Sequence, residues 1–550
     1  MFMRCLRDED DIQLKIFTKR DQLILGLIVF LGAILRIAYQ FHRPFAGDEI
    51  GTLLFMQKDP DYLLSHYGSW LTMNCFILLE KWIGSISHLN SWALTIPSLA
   101  ASIAAIPLTA LLARQLCNSR VALIAATLIA FNPYLLLYAP VIRAYSLLVA
   151  FALLSILALL AWSRKRTFKN GALFAATALV LLLLHLMSVY IMAFLGLLVV
   201  LDGVEHLRQG KPLAGWLKST VSLLVPLAIV GLLVIAVYWR IYPGIKTMNT
   251  KWTGPAPTSV DYLPFVFRLY FTSGYEVLIS IFFLALGLWD IIREKKPVLI
   301  FGLLLVIPIC AMSWQGVAHY PWAFGRFLIF SLPILLIFMA EGVEKMLALL
   351  PGWLRTSSPW LALALSLLVI ASWSPRVMRI FARKSDYPWL GVEQELSKLP
   401  KDTVIVAEDN DNLVLQALAL KTGQPIQFLS DYVATAKDDG PVTLVYIDSI
   451  SKIKTRTRHS HRRNIQILTY HADNKQQLLT QMYADLQAST KGQETEDLRT
   501  HYEALAALSM ALGKPADETK SYLTEATVCG ELEPQKIYDP HHLINHEDRP

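Results

Sequence analysis

The chain has 550 residues, of which 54% are hydrophobic and 17% are charged, and its formal net charge is +7. Soluble domains carry roughly 25% charged residues, so these values exclude an ordinary water-soluble fold and indicate a lipid bilayer as solvent. Most basic residues stand in short loops between apolar runs, a pattern that indicates membrane topology rather than nucleic-acid binding. No two of the five cysteines share a C-x-x-C spacing, so neither a zinc site nor a disulfide framework is predicted.

Apolar runs dominate the chain up to residue 375. Residues 1–22 carry mixed charges and no cleavage site, which predicts a cytoplasmic tail before a retained anchor. A spanning helix needs about 20 mostly apolar residues, and the module 23–375 offers about eleven such runs. The predicted spans are 23–40, 92–114, 119–138, 143–162, 171–186, 188–203, 218–238, 276–293, 297–314, 326–345 and 359–375.

Loop charge predicts the orientation of these spans. Alternate loops are basic and are expected in the cytoplasm, whereas the other loops, including 41–91 and 239–275, are rich in aromatic residues and are expected outside. The segment 70–86 carries Glu80 and Lys81 in its middle, which is costly in hydrocarbon. We therefore predict an amphipathic helix at the outer interface there rather than a further span.

From about residue 386 the pattern changes to alternating strands and helices. Strands are predicted at 403–409, 425–430, 442–448 and 465–471, with a helix at 413–423 and two or three helices over 474–527. Residues 376–550 are therefore expected to form an extracytoplasmic α/β domain with a helical tail. The basic run 451–463 predicts a solvated loop, with contact to anionic lipid headgroups as the alternative.

Two adjacent carboxylates, Asp48 and Glu49, follow the first span between Gly47 and Gly51. Neighbouring side chains point in different directions, so one acid can face a reacting hydroxyl while the other orients it. Glycosyl transfer with inversion needs a base on the face opposite the leaving group. An ordinary solvated loop is the other interpretation.

Three further polar positions lie at predicted outer ends of spans. Arg143 lies between Tyr138 and Tyr145, and His185 ends a long apolar run. A guanidinium matches phosphate oxygens in bidentate geometry, although an interfacial arginine can also simply snorkel.

The third position, Arg326, opens a predicted span and follows His319 and Tyr320. An interfacial aromatic belt would also explain these neighbours. On the predicted topology the acids, Arg143, His185 and Arg326 share one level of the membrane. This arrangement suits an acceptor activated by a carboxylate and a leaving phosphate stabilised by arginines.

These motifs, in this order, resemble the GT-C superfamily, and within it the bacterial branch related to protein O-mannosyltransferases and the lipid A aminoarabinose transferase. The resemblance covers roughly residues 20–375 and is most specific at the acidic pair. It implies Asp48 as catalytic base with Glu49 assisting, and a donor phosphate held by Arg143 and Arg326 beside His185. Tyr138, Tyr145, His319 and Tyr320 would line the substrate pocket.

The same resemblance implies a GT-C-like polytopic α-helical membrane protein with an outer C-terminal domain. Its donor would be a polyprenyl-phosphate sugar, and its acceptor a lipid, a glycan or a protein of the cell envelope, at the outer face of the inner membrane. Membrane lipids are the expected surroundings, and no nucleic acid is expected. No cofactor is indicated; a divalent cation near Asp48 and Glu49 stays open, since two carboxylates are too few ligands to define a site.

Two other functions fit the span pattern. A transporter or flippase of a lipid-linked sugar would use the same interfacial arginines, but it would favour charged residues at the bilayer midplane and related halves. A non-catalytic scaffold would leave the acidic pair without a role.

The predicted orientation can be tested with alkaline phosphatase fusions, which are active only when exported. Fusions after residues 166, 210 and 295 are expected to be inactive in whole cells, and a fusion after residue 384 active. The reverse result, activity after 210 and none after 384, would mean that 70–86 crosses the membrane and that every later loop is inverted.

Overall fold

The computed structural model describes residues 17–41, 48–66, 73–210, 212–251, 270–271, 277–314, 326, 328–351 and 358–382, and, further on, 403–407, 426–429, 432–433, 442–452, 463–472, 474–490 and 499–531. The chain divides into two compact units. The first comprises Met1–Arg43 and Phe55–Ala382, and the second comprises Pro44–Leu54 and Arg383–Pro550.

Helices account for the described residues up to 382 almost entirely. In chain order they are α1 (Lys19–Gln40), α2 (Asp48–Phe55), α3 (Pro60–Ser65), α4 (Asn74–Ser87), α5 (Ser91–Leu116), α6 (Ser119–Phe131), α7 (Pro133–Tyr138), α8 (Tyr145–Arg164), α9 (Phe168–Leu184), α10 (Ser188–Arg208), α11 (Leu213–Lys251), α12 (Val277–Arg293), α13 (Leu303–Trp314), α14 (Leu332–Leu349) and α15 (Ser358–Ala382). Short 3-10 turns at Pro297–Gly302 and Ile329–Ser331 lead into α13 and α14.

Polar residues in the loops start several of these helices. Thr18 and Asp21 form a capping box at α1, in which the Thr18 hydroxyl accepts the Asp21 amide at 3.1 Å and Asp21 accepts the Thr18 amide at 3.3 Å. Asn90 caps α5 and Asn118 caps α6 in the same way, through side-chain oxygens that accept amides of the first turn. The apolar runs therefore begin where the loop sequences supply a cap.

The membrane-embedded helical architecture predicted from hydropathy is confirmed. Each of the eleven predicted runs coincides with one helix or with two consecutive helical segments. Among the described residues, six helices are long and apolar enough to cross a bilayer, and three shorter apolar helices accompany them. The number of spans stays a prediction. On α1, Leu23, Leu27 and Phe30 are exposed whereas Gly32 and Arg36 are buried, as expected for one face toward lipid and one toward the bundle.

The segment predicted as interfacial forms α4, which is not among the candidate spans. Its buried face includes Phe76, Ile77 and Glu80, whereas Trp82 and Ile86 are each 63% exposed. Lys81 donates to the Met56 carbonyl at 2.8 Å. The helix is amphipathic, as the sequence indicated.

Helix α11 is longer than predicted. The sequence predicted an outer loop from residue 239, but the helix has 39 residues and continues to Lys251. At about 1.5 Å per residue it is about 58 Å long, against about 30 Å for the hydrocarbon core. Hydropathy marks where a helix leaves the membrane, not where it ends, and no capping residue interrupts the backbone at Trp239.

Helices α12 and α14 cross with their backbones in contact. A Cβ atom on Gly287 would lie 1.8 Å from the carbonyl oxygen of Phe338, and one on Gly342 would lie 1.9 Å from that of Phe283. Small residues at a crossing let two membrane helices approach this closely.

An ion-pair cluster adjoins this crossing. Lys296 Nζ lies 2.7 Å from Asp290 Oδ2 and 2.8 Å from Glu341 Oε2, and Lys345 also pairs with Asp290. Asp290 and Glu341 are almost fully buried. Two carboxylates and two ammonium groups therefore link α12 and the loop that follows it to α14.

The second unit contains a four-stranded sheet, as predicted. Its strands are β1 (Val404–Ala407), β2 (Ile426–Phe428), β3 (Val442–Lys452) and β4 (Arg463–Ala472) in the order β2-β1-β3-β4. The first three strands are parallel, and β3 pairs with β4 in antiparallel orientation. Helices α16 (Lys475–Thr490), α17 (Arg499–Ala511) and α18 (Ala516–Glu531) follow. The predicted helix 413–423 lies outside the described residues.

The crossing of α12 and α14 predicts which glycines tolerate a methyl group. Gly287→Ala or Gly342→Ala is expected to lower the stability of the purified protein by about 1–3 kcal/mol, since the backbones must separate. Gly231→Ala is the matched control, because a Cβ there meets nothing within 4 Å. Thermal unfolding in detergent measures the effect, and equal midpoints for the three variants would contradict the close crossing.

Candidate functional site

A helix break at Asn132–Pro133 separates α6 from α7. Pro133 has no amide hydrogen, and the residue before a proline avoids helical backbone. The Asn132 side-chain oxygen accepts the amides of Tyr134 at 3.1 Å and Leu135 at 3.0 Å, and its Nδ2 donates to the Tyr270 carbonyl at 3.0 Å. Asn132 therefore fixes both the start of α7 and the position of residue 270.

Four tyrosines form a ring contact network beyond this break. Ring centres are 4.9 Å apart for Tyr134 and Tyr138, 5.1 Å for Tyr134 and Tyr270, and 5.2 Å for Tyr138 and Tyr145. These separations are typical of favourable aromatic pairs. Tyr138 is half-buried and the other three are buried. We call Tyr134, Tyr138, Tyr145 and Tyr270 the tyrosine cluster.

Arg143 lies in the short connection between α7 and α8, and its side chain is buried. Its amide donates to the Val141 carbonyl at 2.7 Å, and its own carbonyl accepts from Ser98 Oγ at 3.0 Å. The next amide, that of Ala144, donates to Met73 Sδ at 3.3 Å. Contacts from α5 and from the start of α4 thus hold the backbone that carries Arg143.

His185 ends α9 and is buried. Its Nδ1 accepts the Met187 amide at 3.0 Å, so the neutral ring carries its proton on Nε2 and offers that atom as a donor. The ring centre is 6.3 Å from that of Tyr145. His185 is therefore a neighbour of the tyrosine cluster with an oriented N–H group.

Arg326, 8% exposed, completes the group. Its guanidinium carbon lies 6.0 Å from the centre of the Tyr145 ring, a cation–π distance. The charges of Arg143 and Arg326 both act on the His185 ring. Residues far apart in the sequence, 143, 145, 185 and 326, are therefore brought together in the first unit. We call Arg143, His185 and Arg326 the basic triad.

The acidic pair is described only in part. Asp48 is the first residue of α2, and Glu49 is fully buried. The side chain of Asp48, as well as His319 and Tyr320, lies outside the described residues. The proximity of the acids to the basic triad stays a prediction.

A divalent cation near Asp48 and Glu49 stays a prediction. Among the residues that the structure describes, no group of three or more His, Cys, Asp or Glu side chains could hold a metal ion. Glu49 is the only described carboxylate of the pair, whereas Ca²⁺ takes six to eight oxygen ligands and Mg²⁺ six.

Several neighbours of the site were not expected from the sequence. Tyr134 and Tyr270 belong to the tyrosine cluster, and the Arg376 guanidinium carbon lies 6.0 Å from the Tyr134 ring centre. Arg376 follows the apolar run of the last predicted span and was assigned to the outer domain, but α15 continues past it. The N-P dipeptide before Tyr134 was a usable signal, because a helix break inside a membrane marks irregular backbone.

Glu80 is a second unexpected feature. It is fully buried, and neither carboxylate oxygen has a hydrogen-bond partner among the described residues. Burial raises the pKa of Glu80 to about 8, because desolvation disfavours the charged form. The sequence signal was the acid itself, which we used only to argue that α4 does not span the membrane.

Solved structures with a similar fold clarify the architecture. ArnT from Cupriavidus metallidurans bound to undecaprenyl phosphate aligns with a TM-score of 0.51 at 12% identity, over 81% of this chain and 97% of ArnT. The apo state of the same protein gives a TM-score of 0.52 at 11% identity, over 81% and 98% of the two chains. The fold of the chain is a GT-C fold. This confirms the fold expected from the motif order.

A more remote similarity is to the archaeal oligosaccharyltransferase AglB from Archaeoglobus fulgidus in complex with an inhibitory peptide and a dolichol-phosphate. Its TM-score is 0.46 at 12% identity, over 95% of this chain and 87% of AglB. No protein-family model matches the chain, and no curated protein matches it in sequence. The similarity to the two ArnT structures is therefore one of fold, at 11–12% sequence identity.

Glu80 predicts a specific pH dependence of stability. Because its pKa of about 8 in the folded protein exceeds the usual 4.5, the folded state binds more protons between these values. The stabilisation that the buried, protonated Glu80 gives to the folded state is therefore fully present below pH 4.5 and is lost as pH rises through 8. Between these values the free energy of unfolding falls by up to about 1.4 kcal/mol per pH unit.

The measurement is the difference in thermal unfolding midpoint between wild type and Glu80→Gln, taken at several pH values. Glutamine mimics the protonated acid. The unfolding midpoint of the variant is therefore expected to rise relative to that of the wild type as pH rises from 5 to 8.5. A difference that does not change with pH would contradict burial of a protonated Glu80.

Proposed function

We propose that the chain is an inverting glycosyltransferase that moves a sugar from a polyprenyl-phosphate donor to a cell-envelope acceptor at the outer face of the inner membrane. One observation carries the proposal: Arg143, His185 and Arg326 converge from three distant parts of the chain inside a GT-C fold. Burying two arginines in a membrane bundle is costly and marks functional sites.

The donor phosphate suits this basic triad. Guanidinium groups bind phosphate oxygens in bidentate geometry, and an N–H donor such as His185 Nε2 adds a further hydrogen bond. The similar ArnT structure contains undecaprenyl phosphate, a polyprenyl phosphate, which supports this class of ligand. The negative charge on the carrier phosphate increases as the glycosidic bond breaks, so the arginines stabilise the leaving group more than the substrate.

Asp48 serves as general base in this proposal. It removes the proton of the acceptor hydroxyl, the hydroxyl oxygen forms the new bond to the anomeric carbon, and the bond to the carrier phosphate breaks with both electrons going to the phosphate. Attack from the face opposite the leaving group inverts the anomeric carbon. Glu49, buried one residue further along α2, orients the groups around the base.

The remaining roles follow from position. Tyr138 and Tyr145 contribute ring surface next to the triad, and His319 and Tyr320 are proposed to line the same pocket. The extracytoplasmic domain helps to select the acceptor, which is a lipid, a polysaccharide or a protein hydroxyl. The N-terminus is cytoplasmic.

Substitution of the proposed base tests the chemistry. Asp48→Asn is expected to lower transfer about 10²–10⁴-fold, the usual contribution of a general base. Mass spectrometry of envelope glycolipids and glycoproteins, from a deletion strain complemented with each variant, measures the product. Asp61→Asn is the control, since Asp61 is an exposed acid on α3. A wild-type glycan profile with Asp48→Asn would refute the assigned base.

Substitution of the triad tests the donor site. Arg143→Ala and Arg326→Ala each remove charge-assisted hydrogen bonds, which are worth about 1.5–3 kcal/mol, so undecaprenyl phosphate is expected to bind about 10- to 100-fold more weakly. Arg120→Ala is the control, because Arg120 is 58% exposed and pairs with Glu344 at 3.5 Å. Equal affinities for undecaprenyl phosphate in all three variants would count against the proposed donor-phosphate site. Flipping of labelled carrier lipid in liposomes, without sugar transfer, would instead favour a flippase.

A further inference from the structure

Arg36 is a fully buried guanidinium inside the first predicted span. Its Nε donates to Ser102 Oγ at 2.8 Å, Nη1 donates to the carbonyls of Gly32 at 3.0 Å and Ala130 at 2.7 Å, and Nη2 donates to the carbonyl of Ile129 at 3.0 Å. Within the part of the chain that the structure describes, no carboxylate pairs with it. The four acceptors of this charge among the described residues are all neutral oxygen atoms.

Two of these oxygens belong to the last turn of α6. The carbonyls of Ile129 and Ala130 have no partner within their own helix, because α6 ends just before Asn132–Pro133. An unsatisfied carbonyl is costly in a bilayer, and the C-terminal end of a helix carries partial negative charge. Arg36 therefore caps the C-terminus of α6 from another helix.

Close packing makes this cap possible. A Cβ atom on Gly32 would lie 2.7 Å from Ile106 Cδ1 and 3.3 Å from Arg36 Nη1. The glycine lets α1 approach α5 and α6 closely enough for the guanidinium fork to reach two successive carbonyls. The contacts hold the end of α6 in one orientation.

The candidate site begins at the capped turn. Asn132 stands two residues after Ala130, caps α7 and binds the Tyr270 carbonyl. From α7 the tyrosine cluster leads to Tyr145, which contacts His185 and Arg326. A rotation at the break would therefore move the rings that contact Tyr145, against which His185 and Arg326 pack.

We propose that Arg36 is a positioning residue for the transfer reaction: by capping α6 it fixes the helix break from which the tyrosine cluster and the donor site are built. The expected effect of Arg36 on donor binding rests on the proposed function. The capping of α6 by Arg36 does not depend on it. Lysine would keep the charge while losing the planar fork that reaches several acceptors together.

The first test compares Arg36→Lys with Arg166→Lys by hydrogen–deuterium exchange of the full-length protein in lipid nanodiscs. Arg166 is a matched control, because it is also largely buried and bonds to Asp202 and Ser219, away from the break. Arg36→Lys is expected to raise exchange in peptides covering 128–146 and to leave 91–116 unchanged. Unchanged exchange in 128–146 would overturn the proposal. A rise that is spread over the whole bundle, with the same pattern in Arg36→Lys and Arg166→Lys, would overturn it as well.

The second test measures undecaprenyl phosphate binding by the same proteins. Loss of charge-assisted bonds at the break is expected to weaken binding about tenfold in Arg36→Lys, with a thermal midpoint no lower than that of Arg166→Lys, which should bind normally. Wild-type affinity in Arg36→Lys would refute a positioning role. Absence of binding by the wild type would refute the donor site instead, and the exchange experiment would then decide the role of Arg36.

Discussion

A cation buried in a membrane bundle must find its acceptors within the protein, because hydrocarbon provides none. Much of the polar structure of the first unit follows from this constraint. The buried Arg36 uses the carbonyls at the end of α6, and the partly exposed Lys296 uses the buried carboxylates Asp290 and Glu341. Each set of contacts joins helices that are far apart in the sequence. These cations therefore help to fix the end of one helix and the packing of others. The hydrophobic runs determine that the helices lie in the bilayer, and the buried charges determine how they are arranged.

On the predicted topology, the carboxylate ion pairs and the basic triad lie at opposite levels of the membrane. Arg166 with Asp202, and Lys296 with Asp290 and Glu341, pair cations with carboxylates next to loops predicted to be cytoplasmic. Their charges are neutralised, and their role is structural. At the predicted outer level Arg326 lies over the Tyr145 ring, and the charges of two arginines act on His185. An aromatic face attracts a guanidinium but does not cancel its charge.

Much of this arrangement could be predicted from the sequence, and the exceptions have physical causes. The apolar runs, the four strands and the convergence of Arg143, His185 and Arg326 follow from hydropathy, period-2 patterning and topology, because the bilayer forces span ends to a common level. The extension of α11 to Lys251 was missed because a helix does not end where hydrophobicity ends. Tyr270 and Arg376 were missed because their neighbours come from distant segments. Arg36 was hidden inside an apolar run, where only the structure reveals its acceptors.

The direct backbone contact between α12 and α14 has a consequence for lipid access. The Phe338 and Phe283 carbonyls fill the space where side chains would normally stand, so these two helices leave no room at their crossing for an acyl or isoprenoid tail. On the proposed function, a carrier lipid would therefore not enter at this crossing, and a search for its entry portal can begin elsewhere.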